Sequence, residues 1–166
     1  MTPGTGDSTT GATDADIAAV TELLGRTPGG EFVVAVRSGD GQPAVLENAP
    51  FLFDGTPMPT RYWLVDPELR EAVSRLESSG GVRQAEASVD AGALADAHAR
   101  YGAARDRLVP EGHTGPRPSG GVGGTRQGVK CLHAHLAAWL VGFDDPVGEW
   151  TAVSIGLHVL DGPDRR

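Results

Sequence analysis

The sequence predicts an α+β fold, a small antiparallel sheet covered by three or four helices in a single domain, and three observations carry that expectation. Two β-branched runs, residues 31–38 and 43–48, stand at hairpin distance around Gly39-Asp40-Gly41. Four segments carry helix-start residues or an apolar stripe of helical period. With 166 residues the chain has the size of one ordinary domain and can bury one core without staples.

Residues 1–12, MTPGTGDSTTGA, have nothing to bury and read as a disordered tail; the domain is expected at 13–160 and a short tail at 161–166. Thr13 suits a helix N-cap with Asp16 three residues on. Ile17, Val20 and Leu24 share one face, and Gly25 marks the stop. After the hairpin, prolines 57 and 59 keep the chain irregular until a short strand at 61–65. Asp66-Pro67-Glu68 combines a capping carboxylate, a proline at the first helical position and an acid in the first turn; Leu69, Val73 and Leu76 then mark a buried face that Gly80-Gly81 ends.

Residues 81–89, GVRQAEASV, alternate weakly and are read as a strand. Asp90 opens a further helix over 91–108, with Leu94, His98, Tyr101 and Leu108 on one stripe. Residues 109–127 form a long Gly/Pro-rich loop without apolar period, and 128–141 a helix. Residues 148–160 fit either element: Val153, Ile155, Leu157 and Val159 alternate as in a strand, whereas Val147, Trp150 and Val153 suit a helix.

A net charge of −8 and a pI near 5.0 set the surface against nucleic acid and anionic membrane, though a local basic pocket is compatible with both. One cysteine allows no internal disulfide. Neither a signal-like start nor a membrane-length apolar run is present, so a cytoplasmic protein is expected.

The chemistry concentrates in VKCLHAHLAAWL, residues 129–140. On a helix with about 100° between residues, Cys131 and His135 fall one turn apart on one flank. His133 falls beside the buried stripe of Leu132, Leu136 and Leu140. A shared metal ligand at Cys131 and His135 is then open to the chain, as is a Cys131 thiolate activated by the helix dipole with His135 as base. Packing is the third option, with Cys131 as a small apolar residue and His98 and His133 as core-flanking histidines bonded nearby. His113 and His158 carry no contextual signal. The preceding SGGVGGTRQG is not a nucleotide-binding P-loop, because Val129 stands where that motif needs Lys. A generic anion pocket at the helix start remains, with Thr125, Arg126 and Lys130 as its donors.

Four ordered segments, LGRTPGG, VAVRSGDGQPAVLENAP, DGTPMPTRYWLVDPELREAVSRLE and GVKCLHAH, resemble domain-of-unknown-function family 501, a bacterial and mainly actinobacterial family, over about residues 23–148. The resemblance implies a cysteine cluster in which this chain has Ser38, Asp40 and Asp66 in three of four places and keeps the Lys-Cys-Leu-His of residues 130–133. Such a site is either lost here or has changed its metal preference, with Asp40, Asp66, Cys131 and His135 as the ligands of a divalent ion. Asp66 has the competing role of helix cap.

Two function classes follow. One is a binding or accessory protein with an anion or degenerate metal pocket, taking a small anionic or phosphorylated ligand. The other is a hydrolase or transferase on a phosphorylated small molecule, with Asp40 or Asp66 as base or ligand and Arg126 and Lys130 as charge stabilisers. A partner-binding scaffold is a further alternative, which the resemblance links to cell division or phosphate metabolism; it predicts an exposed apolar patch. Substrate, protein partner and oligomeric state are not encoded legibly.

Overall fold

The computed structural model describes residues 11–157; most of the expected N-terminal tail, the whole C-terminal tail and His158 lie outside the described residues. Helix α1 (Asp14–Leu24) begins on Thr13, which forms the full capping box with Asp16, and ends on Gly25 in the left-handed conformation. Strands β1 (Gly30–Arg37), β2 (Pro43–Leu52) and β3 (Tyr62–Leu64) form one antiparallel sheet in the order β1-β2-β3. Helices α2 (Pro67–Ser78), α3 (Gly81–Ser88), α4 (Ala91–Asp106), α5 (Leu132–Leu140) and α6 (Pro146–Ser154) follow. The α+β expectation holds, with six helices among the described residues where three or four were expected.

Two segments differ from the sequence reading. Residues 81–89 hold helix α3 instead of a strand. Gly80, left-handed at φ 90°, turns the chain directly out of α2, and Gly81 sits so close to the Leu76 carbonyl that a Cβ there would lie 2.6 Å away. The segment 148–160 resolves as helix as far as Ser154, because Asp145 caps it and Pro146 occupies the first position. Asp145-Pro146 repeats the signature that marked α2 at Asp66-Pro67.

Alternation along β2 sends successive side chains to opposite faces of the sheet. Leu46, with Val20, Phe32 and Val65, forms a small core on the α1 side. Val45, Tyr62 and Leu64 join the main core with α2 to α6. In that core α5 and α6 cross at Gly148, where a Cβ would stand 2.4 Å from the His135 carbonyl oxygen. Only glycine allows this approach. The Tyr101 hydroxyl accepts the N–H groups of Arg61 and Tyr62 at 2.6 and 3.2 Å, tying α4 to the sheet, and burial pushes its pKa up to about 12.

Asp16 links α1 to the sheet through an ion pair with Arg37 at 2.9 Å. The Arg37 hydrogen bond first, then the contacts with Thr13, hold the Asp16 carboxyl below its ordinary range against the opposing effect of burial. A depressed folded-state pKa contributes stability above the unfolded value that is lost as pH falls through the folded value. Asp16→Asn is therefore expected to lower the urea midpoint at neutral pH and to flatten its decline in acid; an acid limb identical to the parent's would remove this pair from the account.

Candidate metal centre and adjoining groove

Helix α5 starts at Leu132, four residues later than the sequence suggests, and Cys131 is its N-cap in extended conformation, φ −150° and ψ 121°. The cause is long-range. The carboxylate of Glu77, near the end of α2, accepts the Leu132 N–H at 2.8 Å and so holds the first turn of α5 from another helix. The anion-binding helix start is thus filled by a carboxylate of the chain itself.

With Cys131 extended, helical spacing no longer relates it to His135. The Cys131 Sγ lies 3.7 Å from His133 Nδ1, and that nitrogen lies 3.2 Å from Glu77 Oε1. The ligand atoms of Glu77, Cys131 and His133 all fall within 4.8 Å of one another, the one such group among the described residues. The other ring nitrogen, Nε2, lies 3.2 Å from the Arg70 carbonyl and 3.2 Å from Ser74 Oγ. A carbonyl only accepts, so Nε2–H donates to it; Nδ1, turned towards the sulfur and the carboxylate, donates to Glu77 when protonated and offers its lone pair when not. Contact with Cys131 first, helped by the charges of Cys131 and Glu77, raises the His133 pKa against the effect of burial.

Glu77 is not the orienting acid of a nucleophilic relay, since it and Cys131 both face Nδ1; the group that orients the ring through Nε2 is the Arg70 carbonyl.

The sequence candidates are distributed otherwise. His135 is fully buried on the far side of α5, where Nδ1–H donates to both Asp145 oxygens at 2.9 and 2.7 Å, and Nε2 has no partner among the described residues. Asp40 closes its own exposed turn, accepting from the Ser38 hydroxyl and from the Gln42 N–H. Asp66 caps α2 through the Leu69 N–H. Eleven residues of helix, roughly 16 Å of rise, separate its end of α2 from Glu77. The structure thus brings none of Asp40, Asp66 and His135 into the group at Cys131. Glu77, outside the sequence candidates, takes part instead; half-buried and one residue beyond the apolar stripe of α2, it carries no local signal of its distant role.

The glycine-rich segment is fixed by His98. Nδ1 accepts the Val122 N–H at 3.1 Å and Nε2–H donates to the Gly128 carbonyl at 2.9 Å, so one ring clamps both ends of the turn. Gly121 packs against that ring with no room for a Cβ, which would lie 2.5 Å from the His98 Cβ. Thr125 turns its hydroxyl onto the Gln127 carbonyl and Arg126 is exposed.

Lys130 takes a different position. Together with Arg26, Arg70, Ser74, Cys131 and His133 it lines a groove of about 490 Å³, floored by Tyr62, Trp63, Leu64 and Val65. A larger hollow of about 630 Å³ holds Ile17, Phe32, Phe53 and Leu108, and its only ionisable lining groups are Glu31 and Glu47. Ile17, Phe53 and Leu108 are exposed there, the apolar patch that a partner-binding scaffold would show. Two of the three donor side chains, Cys131 and His133, line the smaller groove.

Fold and cluster define a class: a small α+β domain with sulfur, nitrogen and oxygen donors gathered beside a groove rich in cations. No helix among the described residues is long and apolar enough to cross a membrane. The chain belongs to the family described as Protein of unknown function (DUF501), which matches it over residues 34–153. That span holds the whole donor cluster and every groove residue named above except Arg26. No curated protein and no solved structure matches the chain.

Proposed function

We propose that this chain is a metal-binding accessory domain in which Glu77, Cys131 and His133 hold a divalent ion of the zinc class and leave one position open to the groove. The convergence of three donors on one point carries the reading. A tetrahedral zinc site has sulfur–nitrogen edges of about 3.6 Å and nitrogen–oxygen edges of about 3.4 Å; the corresponding separations here are 3.7 and 3.2 Å. Ligating histidines commonly donate their second N–H to a backbone carbonyl, which fixes the ring. The Arg70 carbonyl fills that role for His133.

Mixed sulfur, nitrogen and oxygen donors favour a borderline ion over magnesium or calcium. Three protein ligands with an open fourth position are also the pattern of catalytic zinc, in which the ion lowers the pKa of bound water. A hydrolytic activity on a groove ligand is the second reading, supported by the groove that opens beside the cluster.

The test is metal content and affinity of protein purified without chelator, with cobalt as a spectroscopic substitute. About one equivalent of metal and a thiolate-to-cobalt charge-transfer band are expected. Cys131→Ala and His133→Ala should each weaken binding by more than the roughly 10- to 100-fold that loss of an orienting neighbour costs. A proton competes with the metal for His133 Nδ1, so affinity should fall as pH drops, and the raised pKa starts that fall above the ordinary imidazole value. No band under excess cobalt, or an unchanged band in Cys131→Ala, would overturn the reading.

A further inference from the structure

We propose that the groove binds a small phosphomonoester, its phosphate held by Arg26, Arg70 and Lys130 and its planar organic part set against Trp63. The argument begins with charge. The chain carries a net charge of −8, yet the groove is lined by three cationic side chains and by no carboxylate. The cations come from three places, Arg26 just after α1, Arg70 from the first turns of α2, and Lys130 just before α5.

None of the three has a carboxylate partner among the described residues, whereas other arginines of this protein do: Arg37 with Asp16, Arg61 with Glu47, Arg75 with Glu71, Arg100 with Asp144 and Arg105 with Asp106. Three unneutralised cations around one hollow repel each other, and an entering anion relieves that repulsion. The apolar wall of Leu24, Leu64 and Val65 strengthens the field, because low-dielectric surfaces focus it into the cleft.

Charge and shape then select the ligand. A phosphomonoester carries about −1.5 to −2 at neutral pH, a closer match to three cations than the single charge of a carboxylate. Arg26 and Arg70 offer planar forks for two phosphate oxygens and Lys130 a point charge. At about 490 Å³ the groove exceeds what phosphate alone would fill and lies within the usual range of small-molecule sites, roughly 300–1,000 Å³. The half-buried Trp63 supplies a face on which a ring can stack.

This inference does not depend on the metal, since the cations face the groove whether or not an ion is bound. Phenyl phosphate, inorganic phosphate and phenol are titrated into isotopically labelled protein and followed by amide and indole resonances. Phenyl phosphate is expected to shift the Trp63 indole and the Arg70 and Lys130 amides, more tightly than inorganic phosphate and more weakly as salt rises, while phenol leaves them in place. Both cations are exposed, so the double variant Arg70→Ala with Lys130→Ala should keep its dispersed spectrum and bind about tenfold or more weakly. Protein stripped of metal with a chelator should bind phenyl phosphate as the untreated protein does, which separates failure of the metal reading from failure of this one. Phenol binding as tightly as phenyl phosphate, shifts confined to another surface, or unchanged affinity in the double variant would overturn the proposal.

Discussion

Asp145→Ala is expected to destabilise the fold by about 2–4 kcal/mol, a large part of the 5–15 kcal/mol that holds a typical domain together. One carboxylate performs two tasks in a fully buried place. Its Oδ1 accepts the N–H groups of Val147 and Gly148 at 3.0 and 2.9 Å, which starts α6, and both its oxygens accept from His135 Nδ1 on α5. Loss of the cap alone costs about 1 kcal/mol. The larger effect is the stranded His135, whose Nε2 already lacks a partner among the described residues; without Asp145 the ring becomes a buried polar group that loses its Nδ1–H acceptor as well. Asp145→Asn should fall between parent and Ala. Its oxygen can keep the cap, but its amide presents a donor where His135 also presents one. Urea midpoints of the three proteins check this, and a loss below about 1 kcal/mol for the alanine variant would mean the pair contributes little beyond capping.

Arg105→Met is the second large effect, expected at about 3 kcal/mol or more, and it reaches the groove. Arg105 is buried to 1% exposure at the end of α4, and its guanidinium donates to the carbonyls of Pro59, Ser119 and Pro118 at 3.1, 3.3 and 3.5 Å, and to Asp106. Those three carbonyls belong to the strand approach and to the glycine-rich segment, neither of which has a ladder of its own there. Removing the fork leaves buried acceptors unpaired and frees the stretch that carries Gly123 to the groove wall. Methionine fills much of the volume, so the loss measures the hydrogen bonds and not a cavity. Arg105→Lys should rescue little, because an ammonium cannot reach three acceptors in one plane. Calorimetric melting of both variants, with phenyl phosphate affinity measured alongside, separates the two consequences; full rescue by lysine would show that charge alone matters.

The fold was legible wherever the determinants are local. Thr13 with Asp16, and Asp66 with Pro67, announce their helices because a cap and the N–H groups that donate to it lie within four residues. The β1–β2 hairpin is equally plain in its two apolar runs and intervening turn. The start of α5 was not, since its cap comes from Glu77 on another helix. That single long-range bond moved Cys131 out of the helix and exchanged His135 for His133 as its neighbour, so the type of chemistry at residues 131–135 was readable and its partners were not. Helix α3 was missed because GVRQAEAS has a weak pattern of either kind and is set by its packing behind Gly80-Gly81. The cations proposed to hold a phosphate divide in the same way: Lys130 lines the groove as its motif suggests, while Arg26 and Arg70 come from segments that no local motif connects to it.

The division of the core by the sheet has a kinetic consequence. Helix α1 docks through a cluster of four buried residues, Val20, Phe32, Leu46 and Val65, while α2 to α6 share the much larger core on the other face. Local opening follows the least apolar burial, so amide exchange in α1 is expected to be faster than in α4 and α5. Leu24 and Arg26, at its trailing end, form one wall of the groove. A ligand bridging Arg26 to Arg70 and Lys130 would therefore slow the opening of a helix most of whose length it never touches.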